Sequence, residues 1–181
     1  MKSLNTIILV IFAMVIVACG KNESSEQKVV VTPTVNIHMA ALQGNVEAIQ
    51  QHIAYGSDIN QKDDYGSCPL TVATTFGKTE VADLLINAGA DLTVKNNDGS
   101  TPLHIAAFMC RTDIVKSLLE KGADKTITNN YGHTALQSVS GPFEAARPIY
   151  EGLEAGLKPL GLYFDYAHLE KTRPIIAELL K

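Results

Sequence analysis

Several features are scarce in this chain of 181 residues. No block of Lys or Arg runs along it and the formal net charge is -4. A nucleic-acid partner is therefore not expected, because such binding rests on neutralising phosphates with clustered cations. The longest uncharged apolar run, Ile7 to Ala18, holds 12 residues, short of the roughly 20 that a membrane-crossing helix needs. No Gly-rich phosphate loop and no nucleophile elbow occurs. The histidines, His38, His52, His104, His133 and His168, are never spaced as a metal-binding pair. These absences leave no catalytic constellation, no metal site and no cofactor to expect, His133 included.

What is present begins with "VIVACGKNESS", Val15 to Ser25. Met1 and Lys2 precede the apolar run as a charged segment precedes the apolar stretch of a secretory signal. The run ends in Ile16, Val17, Ala18, Cys19, two aliphatic residues, a small one and a cysteine. This resembles a bacterial lipobox. The resemblance implies cleavage before Cys19 and acyl chains on its thiol and new amino group, a stable anchor when two or more chains are present. Gly20 where an Asp could stand implies outer-membrane retention if the source is Gram-negative. An ordinary secretory peptide cleaved near Ala18, or an uncleaved anchor, are the alternatives. Residues 19–34 then read as a polar tether, broken by Pro33.

Roughly 145 residues remain, enough for one domain. They repeat without gaps. Gly66, Gly99 and Gly132 are 33 apart, as are Leu70, Leu103 and Leu136, and Gly56, Gly89 and Gly122, each of the last three followed by Asp58, Asp91 and Asp124. The clearest unit is "NNDGSTPLHIAAFMCRTDIVKSLLEKGAD", Asn96 to Asp124. With that period and these residues, the chain is identified as resembling ankyrin-repeat proteins. Thr101 caps the first helix and Pro102 sits at its first position, His104 bonds a threonine hydroxyl or backbone, and Gly122 supplies a left-handed exit. In the preceding unit Cys68 replaces the capping Thr and Thr71 the His. The first unit, Asn36 to Asn60, lacks the Thr-Pro pair, and Gln50, Gln51 and His52 suit a terminal repeat with one wet face.

The resemblance implies an all-α repeat solenoid: an ankyrin stack of about four helix-turn-helix repeats joined by β-hairpin loops, with an extra C-terminal helical cap. The expected division is a signal peptide at 1–18, a tether at 19–34, repeats over 35–160 (36–63, 64–96, 97–129 and 130–158) and a capping helix at 161–181. The fourth repeat departs from the pattern at Gly141-Pro142. Allowing one extra residue, Glu144 to Ala155 becomes its second helix and Asp165 caps an additional terminal helix, whose stripe is Leu169, Ile175, Ile176, Leu179 and Leu180. The rival alignment places "TRPIIAELL", Thr172 to Leu180, in that slot and treats the stretch between as an insertion.

Ankyrin stacks bind proteins along the side made by their first helices and hairpin tips, so the resemblance assigns partner contact to Tyr65, Thr75, Phe76, Asn97, Asp98, Phe108, Met109, Asn130, Tyr131 and His133, with Asp64, Ser67 and Ser100 beside them. Aromatics and Met suit interface anchors; the alternative is that Phe76, Phe108 and Met109 are buried by neighbouring repeats or the terminal helix. Cys68 and Cys110 fall at opposite ends of neighbouring first helices, beyond bridging distance, and are expected to stay free. The function implied is a non-catalytic protein-interaction module, monomeric, touching membrane through its lipid only, in the cell envelope facing the periplasm. An envelope factor supporting a stress-response enzyme is the alternative. If Cys19 is the acylation site, cells fed radiolabelled palmitate will label the chain, and Cys19→Ala will abolish the label; label retained in the variant refutes it.

Overall fold

The computed structural model describes residues 32–181. The signal segment 1–18, Cys19 and the tether up to residue 31 lie outside the described residues. The helices are α1 (Ile37–Gln43), α2 (Val46–Tyr55), α3 (Pro69–Thr75), α4 (Thr79–Asn87), α5 (Pro102–Phe108), α6 (Thr112–Glu120), α7 (Gln137–Ser140), α8 (Phe143–Leu157) and α9 (Tyr166–Leu180), with a 3-10 turn at Lys158–Leu160. Among the described residues there is no strand. The expected β-hairpins are tight loops whose bases close by single bonds, Asp63 N to Ser67 O, Asn96 N to Ser100 O and Asn129 N to His133 O, all 3.0 Å.

Helices α1, α3, α5 and α7 pack successively as one layer, and α2, α4, α6 and α9 as the other. The 33-residue period places equivalent side chains in register through the stack. Ile37, Leu70 and Leu103 are essentially fully buried, as are Ala40, Ala73 and Ala106. The alanine column lets first helices approach closely, while each buried Leu or Ile contributes about 1.5–3 kcal/mol. In the second layer Val81, Leu85, Ile114, Val115 and Leu118 do the same. His52 departs from the wet face expected of it: it is buried, its Nε2 donating to Val35 O at 2.7 Å and its Nδ1 accepting from Ser57 Oγ at 2.9 Å. A polar residue at this terminal position thus ties down the entry of the chain.

The fourth repeat requires a correction. Glu144 to Ala155 is not its second helix, because α9 occupies that position, packed on α6 and α7, with Ile176 and Leu180 in the main core. The rival alignment therefore describes the stack. The reason is packing chemistry: each helix has one internal proline, but α8 also contains Gly152 and Gly156 and buries only Phe143, Ala146 and Tyr150, whereas α9 buries Leu169, Thr172, Arg173, Ile176 and Leu180 along one side. Ile175, placed in the apolar stripe, is 55% exposed. Asp165 does cap α9, accepting from His168 N at 3.0 Å. The closing element is thus the second half of a repeat interrupted by α8, rather than an extra helix after a complete one.

The tip glycines show where the stack ends. Gly66, Gly99 and Gly132 all have φ between 70° and 75°, and a side chain there costs about 1–2 kcal/mol. A Cβ on Gly99 would also lie 2.8 Å from Asn130 N, and one on Gly66 3.0 Å from Asn97 N, whereas at Gly132 nothing is within 4 Å. Among the described residues no further tip loop presses on it. Gly132→Ala should therefore lower the unfolding free energy by about 1–2 kcal/mol and Gly99→Ala by distinctly more; equal losses in urea unfolding would contradict this account.

Candidate functional site

The side made by loop tips and first helices is built on a chain of bonds between repeats. Asn97 N donates to Tyr65 O at 3.1 Å and Asn130 N to Asp98 O at 2.9 Å. The same asparagines donate through Nδ2 to Asp64 O (3.3 Å) and Asn97 O (2.9 Å). Lys62 Nζ reaches Lys95 O, and Lys95 Nζ reaches Thr128 O, both at 2.8 Å. A further link starts inside the first helices: His104 Nε2 donates to His133 O at 3.0 Å, and His38 Nε2 contacts Ser67 O at 3.1 Å two registers earlier. Between them Thr71 is too short to repeat the link, and instead meets Cys68 Sγ at 3.3 Å.

His104 is an orienting group. Its Nδ1 accepts from Thr101 N (3.3 Å) and contacts Thr101 Oγ1 (2.8 Å), so its proton lies on Nε2, facing His133 O. Burial lowers its pKa, the backbone bond to His133 acting against that. This neutral, fully bonded imidazole has no free atom for catalysis, and the structural role expected of it stands.

On this scaffold Tyr65 and Tyr131 project 77% and 70% exposed, and Asp64, Asn97, Asp98, Asn130 and His133 are also exposed. Asn97 and Asn130 owe their place to the links between loops. Ser100 is buried and Ser67 half-buried. Thr75 is half-buried, its Oγ1 donating to Thr71 O at 2.9 Å and its carbonyl accepting from Arg111 Nη2 at 3.1 Å; Phe76 is half-buried.

Met109 is buried and Phe108 half-buried under α8, so neither is the open partner contact expected. Met109 is 4% exposed. The Phe108 ring is stacked by Tyr150 of α8 at 4.5 Å, and Tyr150 Oη donates to Phe108 O at 2.6 Å. Tyr150, Phe143, Ala146, Leu169 and Cys110 form a second apolar cluster, edged by Phe164 and Tyr166. The inserted helix thus covers the third repeat where a partner contact was assigned. Tyr150 and Arg173, which organise this cluster, were missed by sequence reasoning. The Phe143, Ala146, Tyr150 spacing is the one signal that could have found the first of them.

Cys68 and Cys110 are both free and buried. Cys110 stands where Gly44 and Gly77 stand in earlier repeats and is the one non-glycine with positive φ among the described residues, at 54°. Burial pushes its thiol up to about 11, against the pull of Arg173, and pushes Tyr150 up to about 12. Among the described residues no group of three His, Cys, Asp or Glu side chains is placed to hold a metal ion, and no helix is long and apolar enough to cross a membrane.

Paired helices stacked at a fixed interval, with bonded loops along one edge, define a helical repeat protein. The chain belongs to the ankyrin-repeat family: residues 37–129 match the model of that family, as three copies. Over 49 residues it is 41% identical to Protein phosphatase 1 regulatory subunit 27 of Homo sapiens, and equally to that of Mus musculus. The matched stretch covers 27% of this chain and 32% of each relative, so the chain spans about a third of the length of the curated relatives it matches.

The cluster has a pH signature. A group whose pKa is raised by folding adds stability that is complete below its unfolded value and is lost as pH rises through its folded value. For Cys110 that window runs from 9.0 to about 11, and for Tyr150 from 10.0 to about 12. Urea unfolding should therefore show stability declining above about pH 9, and Cys110→Ala should remove the earlier part of the decline. A flat profile over that range would refute the burial account.

Proposed function

We propose that this chain is a non-catalytic protein-binding module held on a bacterial envelope membrane by acyl chains on Cys19. Membership of the ankyrin-repeat family makes it a protein-interaction module. The observation that carries the more specific reading is the pair of large, exposed aromatics, Tyr65 and Tyr131, held on loops whose backbones are fixed by bonds to neighbouring repeats. Rigid, half-polar rings suit interface anchors because little side-chain freedom is lost on binding. With Phe108 and Met109 covered, partner contact centres on the loop tips, where Asp64, Asp98 and His133 lie beside the tyrosines.

The mammalian relatives are named as regulatory subunits of a phosphatase, and a stack that acts through another protein is the part of that name brought to this chain. The lipobox-like sequence at Cys19 supports anchoring in the envelope and, with Gly20, retention at an outer membrane. The periplasmic face is the site of action in this reading.

The test uses the anchored chain crosslinked in intact cells and recovered from envelope extract. A partner captured by the native chain should be lost when Tyr65→Ala and Tyr131→Ala are combined, each anchor being worth about 2 kcal/mol, while thermal unfolding is unchanged. Undiminished recovery of the same partner would remove the loop tips from the interface.

A further inference from the structure

The loop tips repeat one backbone geometry. In each, the side chain that opens the turn fixes the residue two positions on: Asp63 Oδ1 accepts from Tyr65 N at 2.9 Å, Asn96 Oδ1 from Asp98 N at 3.1 Å and Asn129 Oδ1 from Tyr131 N at 3.0 Å. A left-handed glycine follows every time. The bonds from Asn97 N to Tyr65 O and from Asn130 N to Asp98 O then hold successive loops in register. Residues 65, 98 and 131 therefore leave the backbone in the same direction, as a column of aromatic, carboxylate, aromatic. Both rings are largely exposed. Asp98 is exposed too, and among the described residues it enters no ion pair. The ammonium groups of this edge are occupied elsewhere, those of Lys62 and Lys95 by the carbonyls of Lys95 and Thr128. Asp64, also exposed, adds a second carboxylate beside Tyr65.

The step of the column limits what can lie along it. The first helices pack successively, and packed helices stand about 8–10 Å apart, so the column advances by about that much per repeat. A polyproline II chain rises about 3.1 Å per residue with three residues per turn, which puts its residues i, i+3 and i+6 on one side about 9 Å apart. That step fits. A β-strand brings residues to one side about 6.6 or 13 Å apart, and a helix comes round only after seven residues, at about 10.5 Å. The chemistry fits as well, because exposed aromatic rings take the prolines and apolar side chains of such a segment, and a free carboxylate takes a cation.

We propose that the column binds a polyproline II segment of the partner, with a Lys or Arg on Asp98 and a proline or other apolar residue three positions to either side, one on Tyr65 and one on Tyr131. This names the partner chemistry of the loop tips and rests on their being the partner surface.

The full chain is used to select from a display library of random linear peptides, in parallel with Asp98→Asn, with Asp98→Arg and with the combined Tyr65→Ala and Tyr131→Ala. The native chain should enrich peptides with a central Lys or Arg and apolar residues three positions away on both sides. A synthetic peptide of that sequence should bind about fivefold more weakly to Asp98→Asn, the scale of one exposed ion pair. Asp98→Arg should instead enrich Asp or Glu at the centre, since like charges set against each other select against a partner; a role of Asp98 in folding alone would not reverse the preference. Peptides that need the tyrosines but show no charge preference, or the same sequences enriched by Asp98→Arg, overturn the proposal and leave the loop tips as the partner surface. Peptides held equally well without the tyrosines overturn both. No enrichment at all refutes recognition of an extended segment.

Discussion

Each repeat in this chain is completed by the next one. The amide of Asn97 donates to Tyr65 O and that of Asn130 to Asp98 O, the lysines at 62 and 95 reach carbonyls 33 residues on, and His38 and His104 each reach a carbonyl 29 residues on. None of these groups finds its partner inside its own helix pair. The apolar columns have the same logic, since a two-helix unit cannot bury both faces of Leu70 or Leu103 alone. Stability in such a stack is a sum of units and of the interfaces between them. The weakest interface should lie where the side-chain link is missing, at Thr71, between the second and third repeats.

The far end of the stack is solved differently. Among the described residues the fourth repeat contributes a first helix of a single turn, stopped at Gly141-Pro142, and delays its second helix until α9. The chain between turns back over the third repeat and places Tyr150 on Phe108. This contact accompanies the left-handed Cys110, whose strain of about 1–3 kcal/mol persists only where surroundings hold it. Those surroundings are present: the Cys110 side chain lies within the cluster of Phe143, Tyr150 and Leu169, and Tyr150 is gripped by both Phe108 O and Arg173. A buried thiol takes over from the glycine of earlier repeats because the insertion offers apolar surface for it.

The period made the first three repeats legible, since a gapless spacing of glycines, leucines and aspartates constrains turns, core and exits together. Thr101, Pro102 and His104 could be given roles from their positions in a unit that resembles an ankyrin repeat. The fourth repeat was not legible, because two segments each carried enough apolar residues to fill one slot. What decided between them was which presents a continuous buried side to α6: α9 buries Leu169, Thr172, Arg173, Ile176 and Leu180 along one side, whereas α8 carries Gly152 and Gly156 and buries three residues. The candidate surface failed at Phe108 and Met109 for the same reason. Sequence spacing reports that such residues are free of packing within their own repeat; it carries no information about a helix arriving from 42 residues away. Tyr65 and Tyr131 lie on loops that no later segment covers.

The insertion consequently divides the labour along the molecule. Loop tips keep their exposure because their backbones are satisfied by neighbouring loops, leaving side chains at 65, 98 and 131 without structural duty. The first-helix surface at the third repeat gives up its exposed aromatic to secure α8, and that same act buries Arg173 beneath α8. The guanidinium is held there by Tyr150 Oη and two backbone carbonyls, so it serves the packing of this end. The tyrosine-bearing edge is left as the open surface, and the α8 end is given over to closing the stack.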